Sequence, residues 1–210
     1  MANAPPKPLV VAIHGSPRRH GNTSTLLDEA ARGVTEHGCR VVEFRLRDLK
    51  LSPCLEIYGC KKDGRCVIKD DFQTIYDHLD QAQGLLLASP IFFYAVSAQT
   101  KILMDRCQSF WVRKHWLEGR PHGDTAWKRR GLFISVAASH GQKLFDGALL
   151  SVRYFFQALD TELTDTLLCR GLDLEGEAQR QPDLLAAAYD KGKALGALLA
   201  TPGESDAETL

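Results

Sequence analysis

The sequence of 210 residues is long enough for one domain with a substantial core, and its 44% hydrophobic and 25% charged residues are ordinary for a globular protein. Its 26 basic residues balance its 26 acidic residues, so no overall charge favours nucleic acid or an anionic membrane as a partner. No apolar run approaches the length of a membrane span, and the N-terminus lacks the apolar stretch of a signal peptide, so we expect a cytoplasmic protein.

Short apolar runs alternate with longer amphipathic ones along the chain. In chain order they predict a strand at 9–13, a helix at 22–37, a strand at 41–46, a helix at 70–82, a strand at 85–88, a helix at 97–110, a strand at 132–137, a helix from 142 or 143 to 158, a strand at 163–168 and a helix at 182–200. Strands that alternate with helices predict an α/β fold, with a parallel sheet covered by helices on both faces. We expect a single domain over residues 1–200 and a flexible C-terminal tail at 201–210.

The loops after the first, third and fourth predicted strands are the first places to look for a site, because ligands of such sheets bind beyond the carboxyl ends of the strands. In the loop at 14–24, Gly15 and Gly21 permit tight turns before a helix whose free amides and dipole attract anions. The short polar and cationic side chains there are those of Ser16, Arg18, Arg19, Asn22, Thr23 and Ser24. This combination suits a terminal phosphate such as that of FMN. The alternative is a polar surface turn capped by Asn22.

The loop at 89–97 places Ile91, Phe92, Phe93 and Tyr94 in a row directly after a buried strand. Loops normally face water, so this apolar run needs something to cover. A flat isoalloxazine ring is one candidate. Packing under a neighbouring helix or in a dimer interface is the other.

Together, the two loops resemble those of the NADPH-dependent FMN reductase family of flavodoxin-like proteins, in particular its iron–sulfur flavoprotein branch. The resemblance runs from about residue 9 to residue 168 and is carried by Gly15-Ser16-Pro17-Arg18, Gly21-Asn22-Thr23-Ser24, Ser89-Pro90-Ile91-Phe92-Phe93, Ser97-Ala98-Gln99, Asp105-Arg106 and the run from Cys66 to Asp71. It implies a flavodoxin-like three-layer sandwich with a five-stranded parallel sheet in the order 2-1-3-4-5. It also implies a homodimer or homotetramer with the flavin near a subunit interface.

The resemblance assigns roles to three groups of residues. The FMN phosphate would be held by Ser16, Arg18, Asn22, Thr23 and Ser24. The ring would be lined by Pro90, Ile91, Phe92 and Phe93, and its pyrimidine edge would be approached by Ala138 and Ser139.

The implied activity is electron transfer from a reduced nicotinamide, NADH or NADPH, through FMN to a small acceptor. A quinone, a flavin, a nitro compound or a metal ion would each be compatible. The cofactor itself accepts the hydride, so we predict no catalytic side chain. The alternative function is that of a flavodoxin-like electron-transfer flavoprotein that exchanges electrons with protein partners.

Cys54, Cys60 and Cys66 resemble three positions of a cysteine motif found in the iron–sulfur branch. In the iron–sulfur branch, a compact four-cysteine motif binds a 4Fe-4S cluster, and here Ile57 occupies the position of the second ligand. Isoleucine cannot bind iron, and a thiolate at every iron is the usual arrangement. We therefore expect no cluster and no other metal, and we interpret the cysteines as partly buried thiols in a loop that covers the flavin or the subunit interface.

The segment 111–130 contains all three tryptophans and has an excess of basic residues. Loops this long inside a compact domain are usually functional or disordered, and the tryptophans argue against disorder. One hypothesis is a lid over the flavin, whose arginines favour the 2′-phosphate of NADPH. The other, which we favour, is an interface packed by tryptophans with arginines at its rim.

Overall fold

The computed structural model describes residues 6–124 and 127–200, and in these residues it contains a five-stranded parallel sheet. The strands are β1 (Leu9–His14), β2 (Arg40–Arg45), β3 (Gly84–Pro90), β4 (Arg129–Ala137) and β5 (Thr161–Arg170). Their order across the sheet is β2-β1-β3-β4-β5, as the resemblance implies. β1, β3 and most of β4 are buried on both faces, which explains their continuous apolar sequences. The predicted tail at 201–210 lies outside the described residues.

Helices cover both faces of the sheet. They are α1 (Asn22–Thr35), α2 (Phe72–Gln81), α3 (Ala98–Arg106), α4 (Gln108–Val112), α5 (Asp146–Ala158) and α6 (Pro182–Ala200). α1 and α6 enclose one apolar core with the sheet, and α2 to α5 enclose the other. In the part of the chain that the structure describes, no helix is both long and apolar enough to cross a membrane.

Some element boundaries differ from the predicted ones because local contacts, not periodicity, set the ends. The predicted helix at 97–110 is divided at Cys107 into α3 and α4 and then continues as a π-helical turn, Arg113–Leu117. α2 begins at Phe72, whose amide donates to the Asp70 carboxylate at 3.2 Å. α5 begins only at Asp146, three or four residues later than predicted.

The described parts of the basic segment, 111–124 and 127–130, lie at the amino ends of the strands. Buried Lys114 binds the Asp160 carboxylate at 2.6 Å, and Arg120 binds the same carboxylate at 2.6 Å. Asp160 directly precedes β5, and Arg129 at the start of β4 donates to three main-chain carbonyls. These cations are held at the edge of the sheet opposite to the loops after β1 and β3. They are therefore not placed to bind NADPH over a flavin of the same chain.

Candidate functional site

Loops at the carboxyl edge of the sheet enclose a cavity of about 290 Å³, which we call the edge cavity. Its walls come from the loops after β1, β3 and β4, as the sequence predicts, and also from the loop after β5. The lining residues are Ser16, Pro17, Arg18, Gly21, Asn22 and Thr23, then Pro90, Ile91 and Phe92, then Val136 and Ala138, and finally Leu172 and Asp173. The volume lies at the lower end of the range of small-molecule sites, about 300–1,000 Å³.

Gly15 brings the first loop into direct contact with β3 and α3. Its amide donates to the Ala88 carbonyl at 2.7 Å, and its own carbonyl accepts from the Ser97 hydroxyl at 2.5 Å. A Cβ at this position would lie 2.7 Å from the Ala88 oxygen and 2.0 Å from the Thr100 hydroxyl. Only glycine fits there, so the close approach of the two loops explains the glycine that the sequence shows.

The first turn of α1 offers a row of amide donors to the edge cavity. The first helical hydrogen bond runs from the Thr25 amide to the Gly21 carbonyl at 3.1 Å. Among the described residues, no protein acceptor is recorded for the amides of Asn22, Thr23 and Ser24, and Gly21 supplies no capping side chain. Such amides, at the positive end of the helix dipole, are the usual ligands of a phosphate group. The start of α1 therefore fits a phosphate group.

The side chain of Asn22 holds the loop after β5. Its amide nitrogen donates to the Leu174 carbonyl at 2.9 Å, and its oxygen accepts from the Ala178 amide at 3.0 Å. The guanidinium of Arg18 likewise donates to the Asp173 carbonyl. Both side chains thus fasten a wall of the cavity, and the side-chain oxygen and one side-chain N–H of Asn22 are committed to the loop after β5.

Three of the predicted site residues do not line the edge cavity. Ser24 is buried in α1, and its amide has no acceptor within the helix. Ser139 is exposed beyond Ala138, and Phe93 is 100% exposed. The sequence reasoning missed Leu172 and Asp173, which line it. The one feature of the sequence that pointed to them is their position directly after the fifth strand, because the loop after that strand must also begin at the carboxyl edge of the sheet.

Phe93 and Tyr94 form the tip of a strained turn. The Phe92 and Ala95 main chains pair at 2.9 and 3.0 Å, which leaves Phe93 and Tyr94 as the two central residues, with φ of 51° and 63°. Turns of this kind normally use glycine or asparagine, because bulky side chains are strained at positive φ. Backbone strain at exposed aromatic residues such as Phe93 and Tyr94 is common where a protein contacts a ligand or a partner.

His14 is buried at the end of β1, beside three charged side chains that are partly or largely exposed. Its Nε2 lies 3.2 Å from the Glu43 carboxylate, and its Nδ1 lies 3.3 Å from the Arg45 guanidinium. Arg45 also binds Asp28 at 3.1 Å, so a cation already joins the two carboxylates. Burial, assisted by the charge of Arg45, lowers the pKa of His14 to about 4. His14 is therefore neutral at physiological pH, and it accepts at Nδ1 because Arg45 can only donate.

A second cavity, of about 630 Å³, is lined by Cys54, Cys60 and Cys66 on the outer side of α3 and α4; we call it the thiol cavity. Cys54 is exposed and the other two are half-buried. Ile57, at the position of the missing ligand, is 59% exposed. A thiolate at every iron is the usual arrangement, and this loop supplies three thiols, so it lacks one of the usual four ligands of a 4Fe-4S cluster.

The sheet order and the free amides at the start of α1, beyond the first strand, together define a flavodoxin-like α/β protein. The sequence profile of the NADPH-dependent FMN reductase family matches residues 8–161. The chain belongs to this family, which confirms the resemblance deduced from its two loops.

Individual relatives match over part of their length. An iron–sulfur flavoprotein from Methanocaldococcus jannaschii is 43% identical over 97 residues, which is 46% of this chain and 50% of that protein. An FMN reductase (NADPH) from Pseudomonas putida is 30% identical over 97 residues, which is 46% of this chain and 45% of that protein. The chain thus spans about half the length of the curated relatives it matches.

Solved structures share the fold at low sequence identity. An NAD(P)H:quinone oxidoreductase from Methanothermobacter marburgensis superposes with a TM-score of 0.61 at 15% identity, over 90% of this chain and 100% of that one. Identity this low shows the common fold alone.

Proposed function

We propose that the chain binds FMN in the edge cavity and uses it to pass electrons from NADH or NADPH to a small acceptor. The observation that carries the proposal is the row of unpartnered amides at the start of α1, which opens on the same cavity as the apolar loop after β3. A phosphomonoester joined by a short chain to a flat ring needs both surfaces. Membership of the NADPH-dependent FMN reductase family supports the choice of FMN and NADPH.

The residues of the chain would bind and orient the reactants. The amides at the start of α1, with the hydroxyls of Ser16 and Thr23, would hold a doubly charged phosphate through charge-assisted hydrogen bonds. Pro90, Ile91 and Phe92 would cover the ring and exclude water from it. Bound FMN would supply the acceptor for a hydride. No side chain has to move a proton in that step, which is consistent with the described lining of the cavity, where Asp173 is the one carboxylate and no imidazole is present.

Anaerobic addition of NADPH to FMN-loaded protein tests the proposal. We expect rapid loss of the visible flavin absorbance, and its recovery when a quinone is added. A flavin that dithionite reduces but neither nicotinamide reduces would instead identify a carrier that exchanges electrons with protein partners. Protein that stays colourless after incubation with FMN would refute both functions.

We further propose that the chain forms a homodimer or homotetramer through the apolar surface beside the edge cavity. Phe93 and Tyr94 project from the strained turn, and a Cβ on Gly147 of α5 would lie 2.7 Å from the Tyr94 carbonyl oxygen. Leu150 and Tyr154 lie one and two turns further along that face of α5, and both are exposed. A second copy that covers this surface would remove four large apolar side chains from water. Sedimentation equilibrium of the FMN-loaded protein measures the oligomeric state.

A further inference from the structure

A further cavity lies at the amino edge of the sheet, opposite to the edge cavity. Its volume is about 260 Å³, and we call it the amino-edge cavity. Segments that are distant in sequence meet there, namely the end of α2, α4 with the π-helical turn that follows it, the start of β4 and the end of α5. The cations that line it are Arg113, Lys114, Lys128 and Arg129.

The carboxylates that line this cavity are already bound to cations. They are those of Asp80, Glu118 and Asp160. Arg113 binds the first at 2.6 Å and lies 3.7 Å from the second. The third binds Lys114 and Arg120, each at 2.6 Å. The negative charges of the wall are therefore compensated within the protein, and they leave two lining cations over.

Asp160 also holds those two remaining cations at the cavity. Its main-chain carbonyl accepts from the amides of Lys128 and Arg129 at 3.0 and 3.1 Å. Its side chain meanwhile binds Lys114, which is 3% exposed. One residue thus joins the start of β4 to the π-helical turn, so the position of the cations is built into the fold.

Arg129 carries a largely desolvated charge without a bound carboxylate. Its guanidinium donates to the carbonyls of Ala82, Leu159 and Asp80 at 2.9, 2.7 and 2.8 Å, and it forms no ion pair with a carboxylate of the described residues. Burial lowers the pKa of Arg129, because the surrounding protein disfavours its charged form. A guanidinium nevertheless stays protonated, so a bound anion would stabilise it.

We propose that the amino-edge cavity binds a small oxyanion of the phosphate class between Arg129 and Lys128. A guanidinium offers paired N–H donors that match the oxygens of phosphate, and an ammonium adds a point charge. Lys128 is exposed and forms no ion pair within the described part of the chain, so its ammonium is available. The volume lies below the roughly 300–1,000 Å³ of small-molecule sites, which suits a free ion and not a nucleotide. This site does not depend on the proposed function.

The test is a calorimetric titration of FMN-loaded protein with sodium phosphate at constant ionic strength, with chloride as the reference anion. FMN bound as proposed occupies the amides at the start of α1, so the phosphate that is measured belongs to the amino-edge cavity. We expect one phosphate per chain. Lys128→Gln should weaken binding by about 10-fold or more, and so should Arg129→Lys, which keeps the charge but loses the paired donors. Lys193→Gln, at an exposed position of α6, is the matched control and should bind as the parent does.

Absence of phosphate binding by the FMN-loaded parent would overturn the proposal. So would an unchanged affinity in Lys128→Gln, whose exposed side chain can be replaced without loss of packing, or AMP that binds as tightly as inorganic phosphate. A protein that takes up no FMN would refute the proposed function alone, because the titration should still show a phosphate site that Lys128→Gln weakens.

Discussion

The clearest test of the site concerns Asn22. Its position in the sequence suggests that its side chain binds the FMN phosphate, whereas in the structure the side chain binds the loop after β5. Asn22→Ala removes the acceptor of the Ala178 amide, which belongs to a fully buried residue, and the donor to the Leu174 carbonyl. A buried amide left without a partner costs about 1–3 kcal/mol, and the second bond contributes about 0.5–1.5 kcal/mol. We therefore expect the free energy of unfolding to fall by about 2–4 kcal/mol.

Urea unfolding at neutral pH, followed by circular dichroism, measures this change in the protein without FMN. For a chain of this size the melting temperature should fall by roughly 4–16 °C. Gln179→Ala is the matched control, because it removes an exposed hydrogen bond of 2.7 Å to Thr25 from the same interface. Its effect should stay below about 0.5 kcal/mol.

Thr23→Val should have the opposite effect to Asn22→Ala, because it should weaken FMN binding without lowering stability. Its hydroxyl lines the edge cavity, so the variant should bind FMN about 10–100-fold more weakly while its unfolding free energy changes little. The reasoning would be refuted if Asn22→Ala unfolded at the parent's urea concentration yet lost FMN affinity by a similar factor. The side-chain amide of Asn22 would then bind the phosphate and not the loop after β5.

Four further outcomes are expected. Gly15→Ala should lower the unfolding free energy by about 1–3 kcal/mol and abolish FMN retention. Gly141→Ala, whose Cβ would meet nothing closer than 3.4 Å, should change neither the unfolding free energy nor FMN retention. His14 has a pKa of about 4 in the folded chain against 6.5 when unfolded, so the unfolded state holds more protons between these values. The parent should therefore lose about 2 kcal/mol of stability between pH 8 and pH 5, a loss absent from His14→Gln in urea titrations. Ile57→Cys supplies the missing donor and should take up four irons per chain on incubation with iron and sulfide, unlike the parent. Phe93→Asn should weaken self-association in sedimentation experiments by at least about 10-fold, since burial of a phenylalanine is worth about 1.5–3 kcal/mol.

Each of these predictions has an opposite result that counts against it. Retention of FMN by Gly15→Ala would show that the two loops need not touch. An unchanged pH slope in His14→Gln would assign the acid sensitivity to other groups. Failure of Ile57→Cys to take up iron would mean that something besides donor number excludes the cluster. An unaltered oligomer in Phe93→Asn would place the subunit interface elsewhere.

Much of the candidate site could be predicted because its parts are local in sequence. Ser16, Thr23 and Pro90 belong to short segments whose residue types already show their chemistry, and all three line the edge cavity. Leu172 and Asp173 carry no such motif, so only the structure brings them to the site. Elsewhere in the chain, the contact of Arg106 with Cys66 joins residues 40 positions apart, and only the structure shows it.

The sequence by itself determined the class of fold, since continuous apolar strands alternating with amphipathic helices bury their surfaces as a parallel sheet covered by helices. It also determined that Ile57 leaves the cysteine motif one donor short. The tertiary structure alone decided how the polar side chains of the first loop are used. Hydrogen-bond partners depend on which loops meet at the sheet edge, and for Asn22 the partners lie more than 150 residues away.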